Sequence, residues 1–205
     1  MLKITPYLWI IVLIASIGGL FYPALGYIMV VVMVILLTTS VFRGRWFCGN
    51  LCPRGSLHDF VLDKFSRKQK IPAILSKLWI RVPAIVLMMT LVVYRLSIAF
   101  ATQNTFEKVG TIFASMCFVT TFIAIMMGGY FSSRAWCTVC PMGTMQRIIG
   151  GKKYQLKMRH DDCINCKKCE KVCPMQLSVR DIGNNPDCIK CGRCVEACPK
   201  DALYF

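Results

Sequence analysis

The chain has 205 residues, 56% of them hydrophobic, with 25 lysines and arginines against 10 acidic residues and a formal net charge of +15. A composition this apolar excludes an ordinary soluble domain and suits a chain whose solvent is lipid. The basic residues lie between long apolar stretches, where they orient a protein in a bilayer, and this sets nucleic acid aside as a partner.

Four apolar stretches each approach the ~20 residues a helix needs to cross the hydrocarbon core. The first runs from Ile4 to Leu20. Only Lys3 precedes it and no small-x-small cleavage site follows, so it reads as a retained helix rather than a signal peptide. It ends at Gly18, Gly19 and Pro23, a short turn into the second, Ala24 to Phe42. The third runs from Ile80 to Phe100, with Pro83 tolerable in its first turn, and the fourth from Val109 to Tyr130.

Loop charge sets the expected orientation. The segment after the second stretch carries Arg43, Arg45, Arg54, Lys64, Arg67, Lys68, Lys70, Lys77 and Arg81, and the segment after the fourth carries Arg134, Arg147, Lys152, Lys153, Lys157 and Arg159. The opposite turns hold only Lys108 beside Glu107. The positive-inside rule then places both termini and the central loop in the cytoplasm. Arg95, inside the third stretch, is expected to snorkel to the outer interface, and Cys117 in the fourth to be a small buried hydrophobe.

The second and fourth stretches end in versions of one motif. The first reads Arg45-Trp46-Phe47-Cys48, then Cys52-Pro53-Arg54-Gly55; the second reads Arg134-Ala135-Trp136-Cys137, then Cys140-Pro141-Met142-Gly143. Each half is thus expected to be a helical hairpin ending in a cysteine turn, an internal repeat of the membrane half. The tryptophans are expected to anchor at the interface, while proline and glycine break the helix so that the thiols converge. Cys48, Cys52, Cys137 and Cys140 would hold a third iron–sulfur cluster, form redox-active dithiols, serve a transient metal site, or be structural.

Gly150, Gly151, Lys152 and Lys153 read as a linker, so residues 1–150 form a membrane domain, 151–160 a connection and 161–205 a soluble tail. The tail repeats one pattern at a period of 25 residues. Cys163-x2-Cys166-x2-Cys169-x3-Cys173-Pro174 is followed by Cys188-x2-Cys191-x2-Cys194-x3-Cys198-Pro199. Three thiolates at two-residue gaps wrap one corner of a [4Fe–4S] cubane, and the fourth cysteine reaches the other cluster. The expected ligand sets cross over: Cys163, Cys166, Cys169 and Cys198 for one cluster, and Cys188, Cys191, Cys194 and Cys173 for the other. Zinc knuckles use two separated Cys-x2-Cys pairs instead, and cytoplasmic disulfides are rare. Lys167, Lys168 and Arg193 lie between ligands, where positive charge favours the reduced cluster and raises its potential; the alternative is that they are solvated or dock an acidic partner.

The tail resembles bacterial-type two-cluster ferredoxins over Asp161 to Phe205, which implies single-electron chemistry and a small α+β fold with pseudo-twofold symmetry. Paired hairpins ending in Cys-x2/3-Cys-Pro before such a tail resemble the membrane polyferredoxins of the NapH, NosR and CcoG kind, NapH-like proteins being nearest in layout. The chain departs from the NosR kind in lacking a large outer flavin-binding domain and from the CcoG kind in lacking an immunoglobulin-like extension. The resemblance implies a four-helix membrane bundle plus ferredoxin in a bacterial or archaeal plasma membrane, with the ferredoxin in the cytoplasm. The implied role is one subunit of a multi-subunit oxidoreductase, a quinol dehydrogenase of a respiratory chain. It would pass single electrons between a membrane donor, quinol or a partner subunit, and a redox complex. The alternative is a CcoG-like maturation factor reducing a metal or a disulfide during assembly of a respiratory complex; a third reading is a structural anchor for the ferredoxin.

Only His58 and His160 are present, neither in a membrane stretch, so the chain alone cannot hold a bis-histidine haem there. No Cys-x2-Cys-His or Gly-x-Gly-x2-Gly motif occurs, so flavin and nicotinamide would belong to partners. His58, beside Asp59, reads as an interfacial surface histidine or as an acceptor for a quinol proton.

Overall fold

A computed structural model describes residues 5–101, 104–151, 153–180 and 185–205. The expected helix start at Ile4, with Lys3 before it, and Lys152 of the linker lie outside the described residues. Among them the chain is mostly helical, with one two-stranded sheet.

Three helices are long and apolar enough to cross a membrane: α2 (Pro23–Arg43, 21 residues), α3 (Leu78–Phe100, 23 residues) and α4 (Thr105–Tyr130, 26 residues). They follow the expected second, third and fourth stretches. The first stretch forms a shorter apolar helix, α1 (Thr5–Phe21). It is not a uniform α-helix: a π turn spans Ile14–Gly18, where the buried Ser16 hydroxyl donates to the Val12 carbonyl at 2.5 Å and competes with the helical ladder.

Small residues let these helices approach closely, as apolar helices without a hydrophobic drive between them require. A Cβ on Gly26 would run into the backbone of Gly110, and one on Gly19 into the Ala114 methyl. At that end Tyr27 stacks on Phe106 at 4.6 Å. Cys117 is buried with Val12, Leu57 and Leu62, as expected of a small hydrophobe. Arg95 is exposed near the C-terminal end of α3.

At the opposite end of the bundle the two cysteine turns meet. Short helices Trp46–Asn50 and Pro53–Ser56 follow α2, and Trp136–Val139 follows α4 and leads into α5 (Pro141–Gly150). Pro53 and Pro141 each start a helix at the first position, where proline costs no hydrogen bond. Thr5 at the start of α1 donates to the Asn50 carbonyl at 2.8 Å, fixing that helix end beside the turns.

The expected linker is packed rather than free. Gly44 has φ of +59°, and a Cβ on Gly150 would strike Gly44 and the Ser40 carbonyl, so α5 abuts the end of α2. Lys153 donates to the Val41 carbonyl at 2.6 Å.

In the tail, β1 (Lys157–Met158) and β2 (Leu203–Tyr204) pair antiparallel and bring its ends together. Leu156, Val179 and Leu203 form a small core closed by Cys169, Cys173, Cys188, Cys194 and Cys198. The 25-residue sequence repeat is repeated in the backbone. Left-handed residues occur in register: Asn165 (φ 57°) with Lys190 (54°), Lys167 (56°) with Gly192 (80°), and Gln176 (53°) with Asp201 (46°). Runs that alternate right- and left-handed residues turn successive amides toward one point, the geometry of an anion nest. A left-handed conformation costs non-glycine residues energy, and such strain persists where surroundings over-determine it, typically at ligand sites.

Candidate metal centre

Two cavities in the tail divide its cysteines. One is lined by Cys163, Cys166, Cys169 and Cys198, with Arg180 and Pro199 beside them. The other is lined by Cys173, Cys188, Cys191 and Cys194, with Met175 and Ile189. Each cavity is lined by the four cysteines that one crossed set names. Among the described residues no three His, Cys, Asp or Glu side chains gather closely enough to hold a single metal ion. Thiols around one zinc ion would lie within about 4 Å of each other, since each Zn–S bond is about 2.3 Å.

Burial raises the Cys169 and Cys173 thiols, and pushes Cys188 up to about 11 and Cys194 up to about 12. These thiols stay protonated near neutral pH until a metal displaces the proton.

The four cysteines of the two turns lie near one another, with Cys48 within electrostatic reach of Cys52, Cys137 and Cys140. Cys48 is buried and the other three are half-buried. Burial raises the Cys48 thiol far above its ordinary value, with Arg45 opposing, and raises Cys52, with the Gly55 amide, Arg134 and Arg54 opposing. The Cys48 thiol donates to Gln146 Oε1 at 3.0 Å, and the Gly55 amide donates to Cys52 Sγ at 3.4 Å.

The repeated arginines make the two turns reciprocal. Arg45 Nη2 donates to the Cys137 carbonyl at 2.8 Å, and Arg134 Nη1 to the Cys48 carbonyl at 2.9 Å. Each guanidinium lies over the motif glycine of the other turn, Arg45 over Gly143 and Arg134 over Gly55, where a Cβ would collide. Both arginines are 1% exposed. Two turns of different length, Cys-x3-Cys and Cys-x2-Cys, are thereby locked face to face.

The tail is seated on these turns. A Cβ on Gly49 would strike the Ile189 carbonyl and Cys191, and Cys48 shares one apolar cluster with Met175, Ile189, Cys137, Cys173 and Cys191. Asp187 of the tail receives Arg81 at 2.6 Å, Arg45 at 2.9 Å and Arg147 at 3.1 Å. In the other direction, Arg193 of the tail reaches Asp59 at 2.5 Å, beside Arg134 at 2.6 Å. These cations hold both carboxyls below the usual range although burial alone would raise them. Lys190, 4% exposed, donates to the Arg43 and Lys153 carbonyls, and burial lowers its pKa.

Several expectations change here. Arg81, read as a loop charge, is buried in the first turn of α3 as an ion-pair partner. Arg193 pairs with Asp59 and is half-buried, so of the three cations between ligands only Lys167 and Lys168 are exposed and unpaired among the described residues. Trp136 is 9% exposed and packed inside the protein, not an interface anchor. His58 is fully buried and so not a surface histidine; neither ring nitrogen has a hydrogen-bond partner among the described residues. Burial, with Arg134 and Arg54, lowers its pKa to about 3, which makes it a poor acceptor for a quinol proton at neutral pH. Asp59, Asp187, Gln146 and Gly49 had carried no expectation. The one advance signal was the arginine three residues before the first cysteine of each turn.

Comparison with known proteins agrees with this geometry. A 4Fe-4S binding domain family matches residues 25–72 and again 114–157, one match for each cysteine turn, and a 4Fe-4S dicluster domain family matches residues 144–202. An uncharacterized protein of Methanocaldococcus jannaschii is 26% identical over 182 residues, 84% of this chain and 76% of that protein. A second uncharacterized protein of the same archaeon is 26% identical over 158 residues, 73% of this chain and 59% of its own length. YccM of Escherichia coli, provisionally named an electron transport protein, is 24% identical over 180 residues, 77% of this chain and 49% of its own length. The chain therefore spans between half and three quarters of these relatives. No solved structure matches. Segments similar to 4Fe-4S domain families, a relative named for electron transport and helices apolar enough for a membrane together support a role in iron–sulfur electron transfer.

Proposed function

We propose that this chain is a membrane-bound electron-transfer subunit that passes single electrons between a membrane donor, quinol or a partner subunit, and a redox complex. In this reading α1 to α4 form a four-helix bundle, both termini and the ferredoxin tail are cytoplasmic, and the layout is NapH-like. The tail holds two [4Fe–4S] clusters, on Cys163, Cys166, Cys169 and Cys198 and on Cys188, Cys191, Cys194 and Cys173. A third cluster sits on Cys48, Cys52, Cys137 and Cys140. When bound, such clusters supply reversible one-electron storage; the residues fix their spacing and exclude water.

The observation that carries the reading is the contact of Gly49 with Cys191, continued by the apolar cluster that joins Cys48 to Cys173. A membrane-edge site in direct contact with a ferredoxin site is the geometry of a relay.

Buried charge supports a cluster over a dithiol at the membrane edge. Arg45, Arg81, Arg134 and Lys190 are each at most 4% exposed, and of the described acidic residues Asp59 and Asp187 are those that pair with this group. A buried surplus of positive charge is costly unless anions compensate it. A [4Fe–4S] cluster with four thiolates carries about −2 when oxidised and about −3 when reduced, whereas protonated thiols or a disulfide carry nothing. The maturation role would rest on dithiol chemistry at these four cysteines.

Iron and acid-labile sulfide counting on purified protein tests this. About twelve irons per chain fits three cubanes. About eight, falling no further in Cys48→Ser with Cys137→Ser, would leave the edge thiols free and favour the maturation role.

A further inference from the structure

The two tail cavities differ in what can reach them. The one lined by Cys188, Cys191, Cys194 and Cys173 is pressed against the membrane-edge turns: Gly49 abuts Cys191, and Met175, Ile189 and Lys190 are at most 4% exposed. The one lined by Cys163, Cys166, Cys169 and Cys198 has exposed residues at its rim, Cys166 and the 58% exposed Ile164. Among the described residues, no hydrogen bond or ion pair joins Cys163 to Lys171 with the helices; the polar contacts that seat the tail run through Asp187, Lys190, Arg193 and Gln176.

Charge distinguishes this open rim. Lys167 and Lys168 line the cavity within the ligand loop, Lys171 ends the helical turn that follows, and Lys200 follows Cys198-Pro199. All four are exposed, and none forms an ion pair among the described residues. The acidic groups of the same stretches are Asp161, Asp162, Glu170 and Asp201, of which Asp162 is held by Arg159 at 3.6 Å. An exposed apolar side chain ringed by free lysines fits a small, transient interface whose on-rate is set by electrostatic steering.

We propose that this face is the docking surface for an acidic, water-soluble one-electron carrier protein, which exchanges electrons with the outer site while the inner site serves the membrane edge. The proposal rests on the reading of Cys163, Cys166, Cys169 and Cys198 as cluster ligands. The step is one electron between the reduced carrier and the oxidised outer cluster, or the reverse, with no bond made or broken. An anionic bilayer is the competing occupant. It is disfavoured because the inner site, not the outer one, abuts the membrane-edge turns.

The test uses full-length, cluster-loaded protein in nanodiscs of phosphatidylcholine, mixed by stopped flow with a dithionite-reduced acidic [2Fe–2S] ferredoxin. The second-order rate is expected to fall about tenfold or more between low and high salt, because steering between exposed charges is screened. Glutamate at Lys167, Lys168, Lys171 and Lys200 together should slow the low-salt rate about tenfold or more and speed oxidation by basic cytochrome c, with iron and sulfide content unchanged. Arginine at the four positions should keep the rate. A salt-independent rate, or one untouched by charge reversal in protein of normal iron content, overturns the docking proposal alone. So does a rate suppressed in phosphatidylglycerol nanodiscs and restored by charge reversal, which would assign the face to lipid. Wild-type protein without iron and sulfide overturns the cluster reading and the docking proposal together.

Discussion

Arg134 donates to the backbone carbonyl of Cys48, at 2.9 Å, from the opposite repeat of the chain. Arg45 returns the contact to the Cys137 carbonyl at 2.8 Å. Both bonds go to backbone carbonyls, so each arginine positions the opposite turn, and Arg134 Nη1 also reaches Cys137 Sγ at 3.7 Å. The pair brings the two halves of the chain, which match the same domain family, together at one place.

Arg134 also holds the buried Asp59 through two bonds, at 2.8 and 2.6 Å. Replacing it with methionine leaves the Cys48 carbonyl without this donor and Asp59 with Arg193 alone, which costs about 1–3 kcal/mol. Lysine cannot reproduce the fork and should recover less than half of the loss. Thermal unfolding of the detergent-solubilised variants checks this; an Arg134→Lys midpoint equal to wild type would show the bidentate geometry to be unimportant.

Gly49→Ala puts a methyl into the Ile189 carbonyl and Cys191. The tail should shift away from the edge turns, slowing electron exchange between inner and edge sites while the tail clusters remain assembled. Freeze-quench EPR after rapid reduction reads this directly. Gly129→Ala, with open space around it, is the matched control and should behave as wild type.

Acid should destabilise the protein in two stages. His58 has a folded pKa lowered to about 3 from 6.5. Below pH 6.5 the unfolded state therefore binds the extra proton, and stability falls as pH drops toward 3. The slope approaches 1.4 kcal/mol per pH unit. Asp187, lowered by Arg81, Arg45 and Arg147, contributes stability that is present above its unfolded pKa near 3.8 and lost as pH falls through its lower folded value. Melting midpoints of His58→Gln should be flat between pH 6.5 and 4.5, where wild type slopes.

Stripping iron and rebuilding the clusters should release protons, because Cys188 and Cys194 are pushed to about 11 and 12 in the metal-free fold. Reconstitution from mixed ferrous and ferric iron and hydrosulfide in weak buffer is expected to release about eight protons per cluster, four from the thiols and four from hydrosulfide, and to speed up with rising pH. A pH-stat measures both, and release of only the hydrosulfide share, about four, would mean the thiols are already ionised.

How much of this was legible in advance depended on the range of the interactions. The periods of the sequence carried the local parts. Apolar stretches of about 20 residues marked α2, α3 and α4 because the bilayer sets a fixed length, and the 25-residue cysteine repeat reappears in the left-handed pairs Asn165 with Lys190 and Lys167 with Gly192. The arginine before each cysteine turn was visible as a repeat, but its reciprocal use was not. What only the tertiary structure decided is where the charges go. Asp187 lies 142 residues from Arg45 and 106 from Arg81, and Asp59 lies 134 from Arg193. No periodicity links such distant positions; burial selects the pairing, because each charge taken from water must find its partner within reach. The sequence alone therefore set the apolar stretches and the cysteine patterns, and packing alone set which tail cavity abuts the two cysteine turns and which keeps exposed residues at its rim.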